Sequence, residues 1–209
     1  MTKVKICGLS TPETMQSALD AGADFVGLMF YPKSPRNVSI EQAANLASLA
    51  KGRAKIVAVT VDADDVLLQA IVSKVKPDYI QVHGSETIER IAEIKSRFSV
   101  QVIKVIKVKT AADLAPTKVF RAVADLIMFD PKAPDDVLPG GNGLSFDWAL
   151  LSQEIGDFML AGGLKPDNVA NAIKLTKATF VDVSSGVESA PGIKDADLIA
   201  KFIKAAKSA

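Results

Sequence analysis

One cysteine, one histidine and one tryptophan are spread over 209 residues. Neither charge sign dominates: 25 Lys+Arg stand against 24 Asp+Glu, a formal net charge of +1. A lone cysteine excludes an intramolecular disulfide. One Cys and one His also cannot supply the four N/S ligands of a closed structural zinc site, so no metal is expected. The near-neutral balance gives no general field for nucleic acid or an anionic membrane. Any anionic ligand therefore needs a local site. No apolar run approaches the ~18 residues of a membrane span. The opening Met1-Thr2-Lys3-Val4-Lys5-Ile6-Cys7 has no apolar stretch after its lysines, so no secretory signal is expected there. With a free thiol, this points to a reducing cytoplasm.

The chain does contain enough apolar material for a substantial core, with 48% hydrophobic and 23% charged residues. That composition argues against disorder. Eight short runs rich in Val, Ile or Phe recur at Val4–Ile6, Phe25–Phe30, Ile56–Val61, Tyr79–Val82, Val100–Val108, Leu126–Phe129, Phe158–Leu160 and Phe180–Val183. Each is too short for a typical helix, and near-continuous hydrophobicity suits parallel strands buried on both faces.

Helical spacing lies between them. Met15, Ala18 and Leu19 keep the i, i+3, i+4 pattern. Three further segments keep the full pattern: Ile40, Ala43, Ala44, Ala47; Leu68, Ile71, Val72, Val75; and Ile199, Phe202, Ile203, Ala206. Thr11-Pro12 places a cap before a first-turn proline. Ser39 with Gln42 has the capping-box pattern. Lys165-Pro166-Asp167 leads into the helix expected in the seventh unit. No linker or composition shift divides the series, so residues 1–209 are expected to form one (β/α)8 barrel. An open doubly wound sheet uses the same units and is the alternative.

In a barrel, chemistry sits at the carboxyl ends of the strands. Cys7 ends the first strand, Arg36 follows the second, Asp62 follows the third and His83 ends the fourth. Asp130 ends the sixth, and Asp182 lies near the end of the eighth. Each has a plainer reading. Cys7 reads also as a small buried hydrophobe, His83 as a loop residue before Gly84, and Arg36 as a solvated loop charge. Asp130 before Pro131 reads as a turn start, Asp62 as the start of the third helix, and Asp182 as a partner of nearby backbone.

The glycines are more specific. Gly162-Gly163 closes the seventh strand, and Ser185-Gly186 closes the eighth. Such turns let backbone N–H groups surround an anion, and loops after strands seven and eight are the recurrent phosphate site of barrels. Gly140-Gly141-Asn142-Gly143 adds a third loop able to fold over a ligand. None of these is a G-x-G-x-x-G or P-loop pattern, so no nucleotide is implied.

Lys5-Ile6-Cys7-Gly8 resembles the opening of the phosphoribosylanthranilate isomerase family, enzymes of tryptophan biosynthesis. The similarity continues in order through Ser34-Pro35-Arg36, Gln81-Val82-His83-Gly84, Phe129-Asp130 and Gly140-Gly141-Asn142-Gly143 with Phe146-Asp147-Trp148. It ends with Leu160-Ala161-Gly162-Gly163-Leu164 and Asp182-Val183-Ser184-Ser185-Gly186-Val187-Glu188. The resemblance implies a (β/α)8 barrel that converts N-(5-phosphoribosyl)anthranilate to the corresponding 1-deoxyribulose 5-phosphate by an Amadori rearrangement. It implies Cys7 as general base, Asp130 as general acid and Arg36 on the anthranilate carboxylate. The phosphate would sit near Gly141, Gly163, Ser185 and Gly186, and His83 would line the pocket. No cofactor is implied, and the assembly would be a monomer or homodimer acting on a small phosphosugar.

Two positions depart from the family pattern. Asn142 stands where Thr or Ser is usual, and Asp62 where Asn is more familiar. An inward Asp62 carboxylate would disfavour an anionic substrate. Among competing readings, metal-dependent epimerases need several His and carboxylate ligands. Indole-glycerol-phosphate synthase needs a longer N-terminal extension. A non-catalytic phosphosugar-binding barrel predicts loss of Cys7 or Asp130, and both are present.

Overall fold

The eight apolar runs are the eight strands of a closed parallel barrel. The computed structural model describes residues 1–134, 140–141, 143–154 and 156–209. Asn142 and most of the loop before Gly140 lie outside the described residues. The strands are β1 (Lys3–Cys7), β2 (Phe25–Phe30), β3 (Lys55–Thr60), β4 (Tyr79–Val82), β5 (Gln101–Val108), β6 (Leu126–Pro131), β7 (Phe158–Leu160) and β8 (Phe180–Val183). They pair in chain order, and β8 closes on β1 with Lys5 opposite Asp182. Closure removes both sheet edges and overturns the open-sheet alternative.

Side chains alternate across each strand. One set, including Val57, Val59, Ile103, Val105, Met128 and Met159, fills the barrel interior. The other set, including Val4, Ile6, Val26 and Leu28, packs under the helices. The first residues of three strands plug the amino end, where the Phe25 ring lies 5.8 Å from Tyr79 and 5.7 Å from Phe180.

The helices are α1 (Pro12–Asp20), α2 (Ile40–Ala50), α3 (Asp65–Lys74), α4 (Ile88–Phe98), α5 (Thr117–Arg121), α6 (Val169–Thr176) and α7 (Ala196–Lys207). Thr11, Ser39, Asp64, Thr87 and Asp195 cap five of them by accepting a backbone N–H. Three details differ from the sequence pattern. Gln42 does not close a capping box; its amide donates to the Ser10 carbonyl at 2.6 Å. Asp62 does not start α3, since Asp64 is the cap. The sixth unit has no α-helix among its described residues, only a 3₁₀ turn at Trp148–Leu151 capped by Asp147. A Pro/Gly-rich segment precedes that turn, and Phe146 and Trp148 cover the core in place of a helix.

At the amino end an aspartate clasp recurs. Asp24, Asp78 and Asp125 each stand just before an even-numbered strand. Their carboxylates accept the N–H of Val4 at 2.9 Å, Ile56 at 2.8 Å and Val102 at 2.7 Å, near the start of the preceding strand. Their own N–H groups return a bond to the carbonyl of the same residue. A lysine meets each carboxylate: Lys207, Lys55 and Lys95. This end lies opposite the strand termini that carry chemistry. Replacing Asp78 or Asp125 by Ala orphans a strand N–H and should lower unfolding free energy by ~1–3 kcal/mol. Urea denaturation measures that loss, and kcat should stay unchanged.

Candidate active site

The carboxyl ends of the strands converge as the alternation of side chains requires. Cys7 is buried at the end of β1. Burial pushes its thiol up, and the nearby Lys5 charge acts against that. Lys5, wholly buried, donates to Asp182 Oδ1 at 2.7 Å. Asp182 therefore pairs with a side chain, not with local backbone. Burial raises its carboxyl, with the Lys5 charge opposing. The 2.7 Å contact and the raised lysine favour the ionised pair.

Asp130 sits one residue before the end of β6. Its Oδ2 lies 3.3 Å from His83 Nε2, an ion-pair distance without good hydrogen-bond alignment. A small cavity of about 40 Å³ is lined by Cys7, Arg36, His83, Asp130, Gly141 and Asp182, among others. A second cavity of about 40 Å³ adjoins it and shares Asp130, Gly141 and Asp182. Its other walls include Gly162, Gly163, Ser185 and Gly186. Cys7, Arg36, His83, Asp130, Gly141, Gly162, Gly163, Ser185 and Gly186 thus meet at one mouth, with Asp182 among them. Outside them an open groove of about 600 Å³ runs past Arg36, Gly141, Gly163 and Gly186, a size suited to a small ligand.

The glycine turns have physical reasons. Gly162 has φ +88°, and a Cβ there would lie 2.0 Å from the Pro131 ring. A Cβ on Gly186 would lie 1.9 Å from the Leu164 carbonyl oxygen. The N–H groups of Gly162, Gly163, Ser185 and Gly186 have no backbone acceptor among the described residues. Asn168 holds the turn by donating to the Gly163 carbonyl at 2.9 Å. Unpaired N–H groups around a cavity suit a phosphate.

Arg36 is committed on one edge. Its Nε and Nη2 donate to Glu188 Oε1 and Oε2, each at 2.7 Å. Nη2 also donates to the Gly141 carbonyl at 3.1 Å. The side chain crosses Gly8, where a Cβ would meet its Cδ at 2.6 Å. An anion at Arg36 would therefore meet the Nη1 side, not a free fork. Glu188 opens β9 (Glu188–Ala190), which pairs antiparallel with β10 (Ile193–Lys194). Lys194 from β10 also bonds Glu188. Burial alone would raise the Glu188 carboxyl, but the Arg36 hydrogen bond and the Lys194 charge hold it below the usual range.

The loop after β3 is latched away from the pocket. Asp62 Oδ1 accepts the Ser85 N–H at 2.7 Å, while Glu86 Oε1 accepts the N–H of Asp62 at 3.0 Å. The Asp62 carboxylate is thus spent on the neighbouring loop. Glu86 in turn pairs with buried Lys104 at 3.0 Å. Lys5, Glu188 and Lys104 had no role assigned from sequence. The available signal was a charge inside a strand otherwise buried on both faces, as at Lys5 and Lys104. Among the described residues no cluster of three His, Cys, Asp or Glu is placed to hold a metal, and no helix is long and apolar enough to cross a membrane.

Eight parallel strands closed in chain order, with a thiol, a carboxyl and a guanidinium gathered at their carboxyl mouth, define a TIM-barrel enzyme. Residues 4–205 match the model of the N-(5'-phosphoribosyl)anthranilate (PRA) isomerase family, and the chain belongs to that family. It is 53% identical over 209 residues to the N-(5'-phosphoribosyl)anthranilate isomerase of Bradyrhizobium sp. (strain ORS 278), covering 99% of this chain and 95% of that one. It is 54% identical over 208 residues to the enzyme of that name from Rhodopseudomonas palustris (strain BisA53), covering 98% and 95%. Among solved structures it is similar to the phosphoribosyl anthranilate isomerase of Thermotoga maritima, with a TM-score of 0.90, 36% identity and 100% of both chains covered. A phosphoribosyl anthranilate isomerase in complex with reduced 1-(o-carboxyphenylamino)-1-deoxyribulose 5-phosphate matches with a TM-score of 0.87, 35% identity and 100% coverage of both chains.

The Glu188 cluster sets a pH dependence. A carboxyl held low in the folded state adds stability above its ordinary range, and that stability is lost as pH falls through the folded value. Glu188→Ala should lose ~3 kcal/mol or more at neutral pH, because it strands two buried cations. Denaturation from neutral to acid pH should show this gap closing as Glu188 protonates in the wild type.

Proposed function

We propose that this chain performs the N-(5'-phosphoribosyl)anthranilate isomerase reaction of tryptophan biosynthesis with Asp130 as general acid and Cys7 as general base. One observation carries the assignment: both groups line a single small cavity that adjoins the turns after β7 and β8, whose N–H groups have no backbone acceptor among the described residues. The substrate's phosphate sits on Gly162, Gly163, Ser185 and Gly186, with Gly141 above it. Its carboxylate meets the Nη1 side of Arg36. His83 lines the pocket beside Asp130.

The chemistry then follows in order. Asp130 protonates the ring oxygen, the C1–O bond breaks, and the anilino nitrogen forms an iminium with C1. That iminium acidifies the C2 proton, which the Cys7 thiolate takes. The resulting enolamine gains a proton at C1 and loses one from the C2 hydroxyl to give the ketone. Protons gained and lost balance, and the iminium is the electron sink, so the reaction calls for no cofactor. We also assign residues 1–209 to one domain, with a cytoplasmic location. A Thermotoga maritima relative is described as dimeric; for this chain the reading is a monomer or homodimer.

Loss of substrate fluorescence measures the activity directly. Cys7→Ala and Asp130→Asn should each cut kcat by ~10²-fold or more while substrate still binds. Deuterium at C2 should change residual Asp130→Asn turnover little, since ring opening then limits the rate. Near-normal kcat in either variant removes that residue from its role.

A further inference from the structure

Lys5 is an unexpected occupant of a barrel interior. It is wholly buried, and a buried ion pair seldom stabilises a fold better than apolar side chains of the same volume. Stability alone therefore does not account for Lys5 and Asp182 standing where apolar side chains would serve as well. Alternation along β1 puts Lys5 and Cys7 on the same inward face. Gly27 on β2 shows how closely they converge: a Cβ there would lie 2.9 Å from Cys7 Sγ and 3.2 Å from Lys5 Cε. Only glycine leaves room for both. The lysine is firmly charged. Burial works to lower its pKa, but the charges of Asp182 and then Cys7 raise it to about 12.

We infer that Lys5 is a positioning residue for the reaction: its ammonium, aimed by Asp182, is the counter-ion on which the Cys7 thiolate forms. The inference rests on the reading of Cys7 as base. When the thiol ionises, its proton passes to solvent and the thiolate stands beside the Lys5 ammonium, which opposes the effect of burial. During turnover the thiolate takes the C2 proton and becomes a thiol, while Lys5 keeps its own protons throughout. The other titratable and charged side chains facing this point are Asp182 from β8, Lys194 from β10, Arg36 after β2, His83 after β4 and Asp130 from β6. Lys5 is the buried cation on the same strand and face as Cys7, whereas Lys3 is exposed at the amino end over the Phe180 ring.

The chain has one cysteine, so ultraviolet thiolate absorbance reports Cys7 alone once a Cys7→Ser blank removes the tyrosines. Lys5→Met should move thiol ionisation to higher pH by about one unit or more, lowering kcat ~10-fold on the rising limb. The charge-balanced pair Lys5→Met with Asp182→Asn avoids an orphaned carboxylate and should fold. Its shift should have the same sign but be smaller, because the Asp182 charge itself opposes the thiolate. Lys5→Arg should restore both the thiol titration and the kcat profile toward wild type. A thiol that titrates as in wild type in the paired variant, with Cys7→Ala inactive, overturns the role of Lys5 and leaves Cys7 as base. Near-normal kcat in Cys7→Ala overturns the base assignment itself.

Discussion

Charge taken out of water has to be paired, and the mouth of this barrel is organised by that requirement. Three buried ion clusters surround the site: Lys5 with Asp182, Arg36 with Glu188 and Lys194, and Lys104 with Glu86. Each joins segments far apart in the chain. The first spans the seam where β8 closes on β1. The second straps the loop after β2 to the hairpin after β8. The third fixes the loop after β4, and through Glu86 it also holds Asp62 and Gly84. Breaking any one leaves an uncompensated buried charge, which costs several kcal/mol. The geometry of Cys7, Arg36, His83 and Asp130 is thus held before any ligand arrives, as the proposed acid–base chemistry requires.

The two ends of the barrel divide the work. At the amino end, aspartates before β2, β4 and β6 clasp the strand before them, and lysines at half-exposed positions meet their carboxylates. These contacts register strands and touch no candidate site residue. At the carboxyl end, glycines allow close approaches, and the N–H groups after β7 and β8 have no backbone acceptor among the described residues. The same strands supply stability at one end and chemistry at the other.

The strands were legible in the sequence because parallel strands buried on both faces must be near-continuously apolar. The positions of Cys7, Asp130, Arg36, His83 and the paired glycines followed from the carboxyl-end rule and from the family pattern. The commitments between them did not follow. Arg36 looked like a free guanidinium because Glu188 lies 152 residues away in sequence, and periodicity carries no information about such partners. Lys5 was hidden for the same reason, since its partner is brought near only by barrel closure. The sixth unit, with no α-helix among its described residues, illustrates another limit: spacing between strands measures chain length, not whether that length winds into a helix. Asp62 showed the reverse, a carboxylate near the mouth that a neighbouring loop occupies.

The central claim is that the mouth holds the substrate with its reacting carbons between Cys7 and Asp130. A crystal structure of this chain with reduced 1-(o-carboxyphenylamino)-1-deoxyribulose 5-phosphate, the ligand seen with a relative, tests it most directly. The account predicts the phosphate on the N–H groups of Gly162, Gly163, Ser185 and Gly186. It also predicts the carboxylate on the Nη1 side of Arg36, and C1 and C2 within reach of Asp130 and Cys7. A phosphate bound elsewhere, or reacting carbons distant from both side chains, would contradict it.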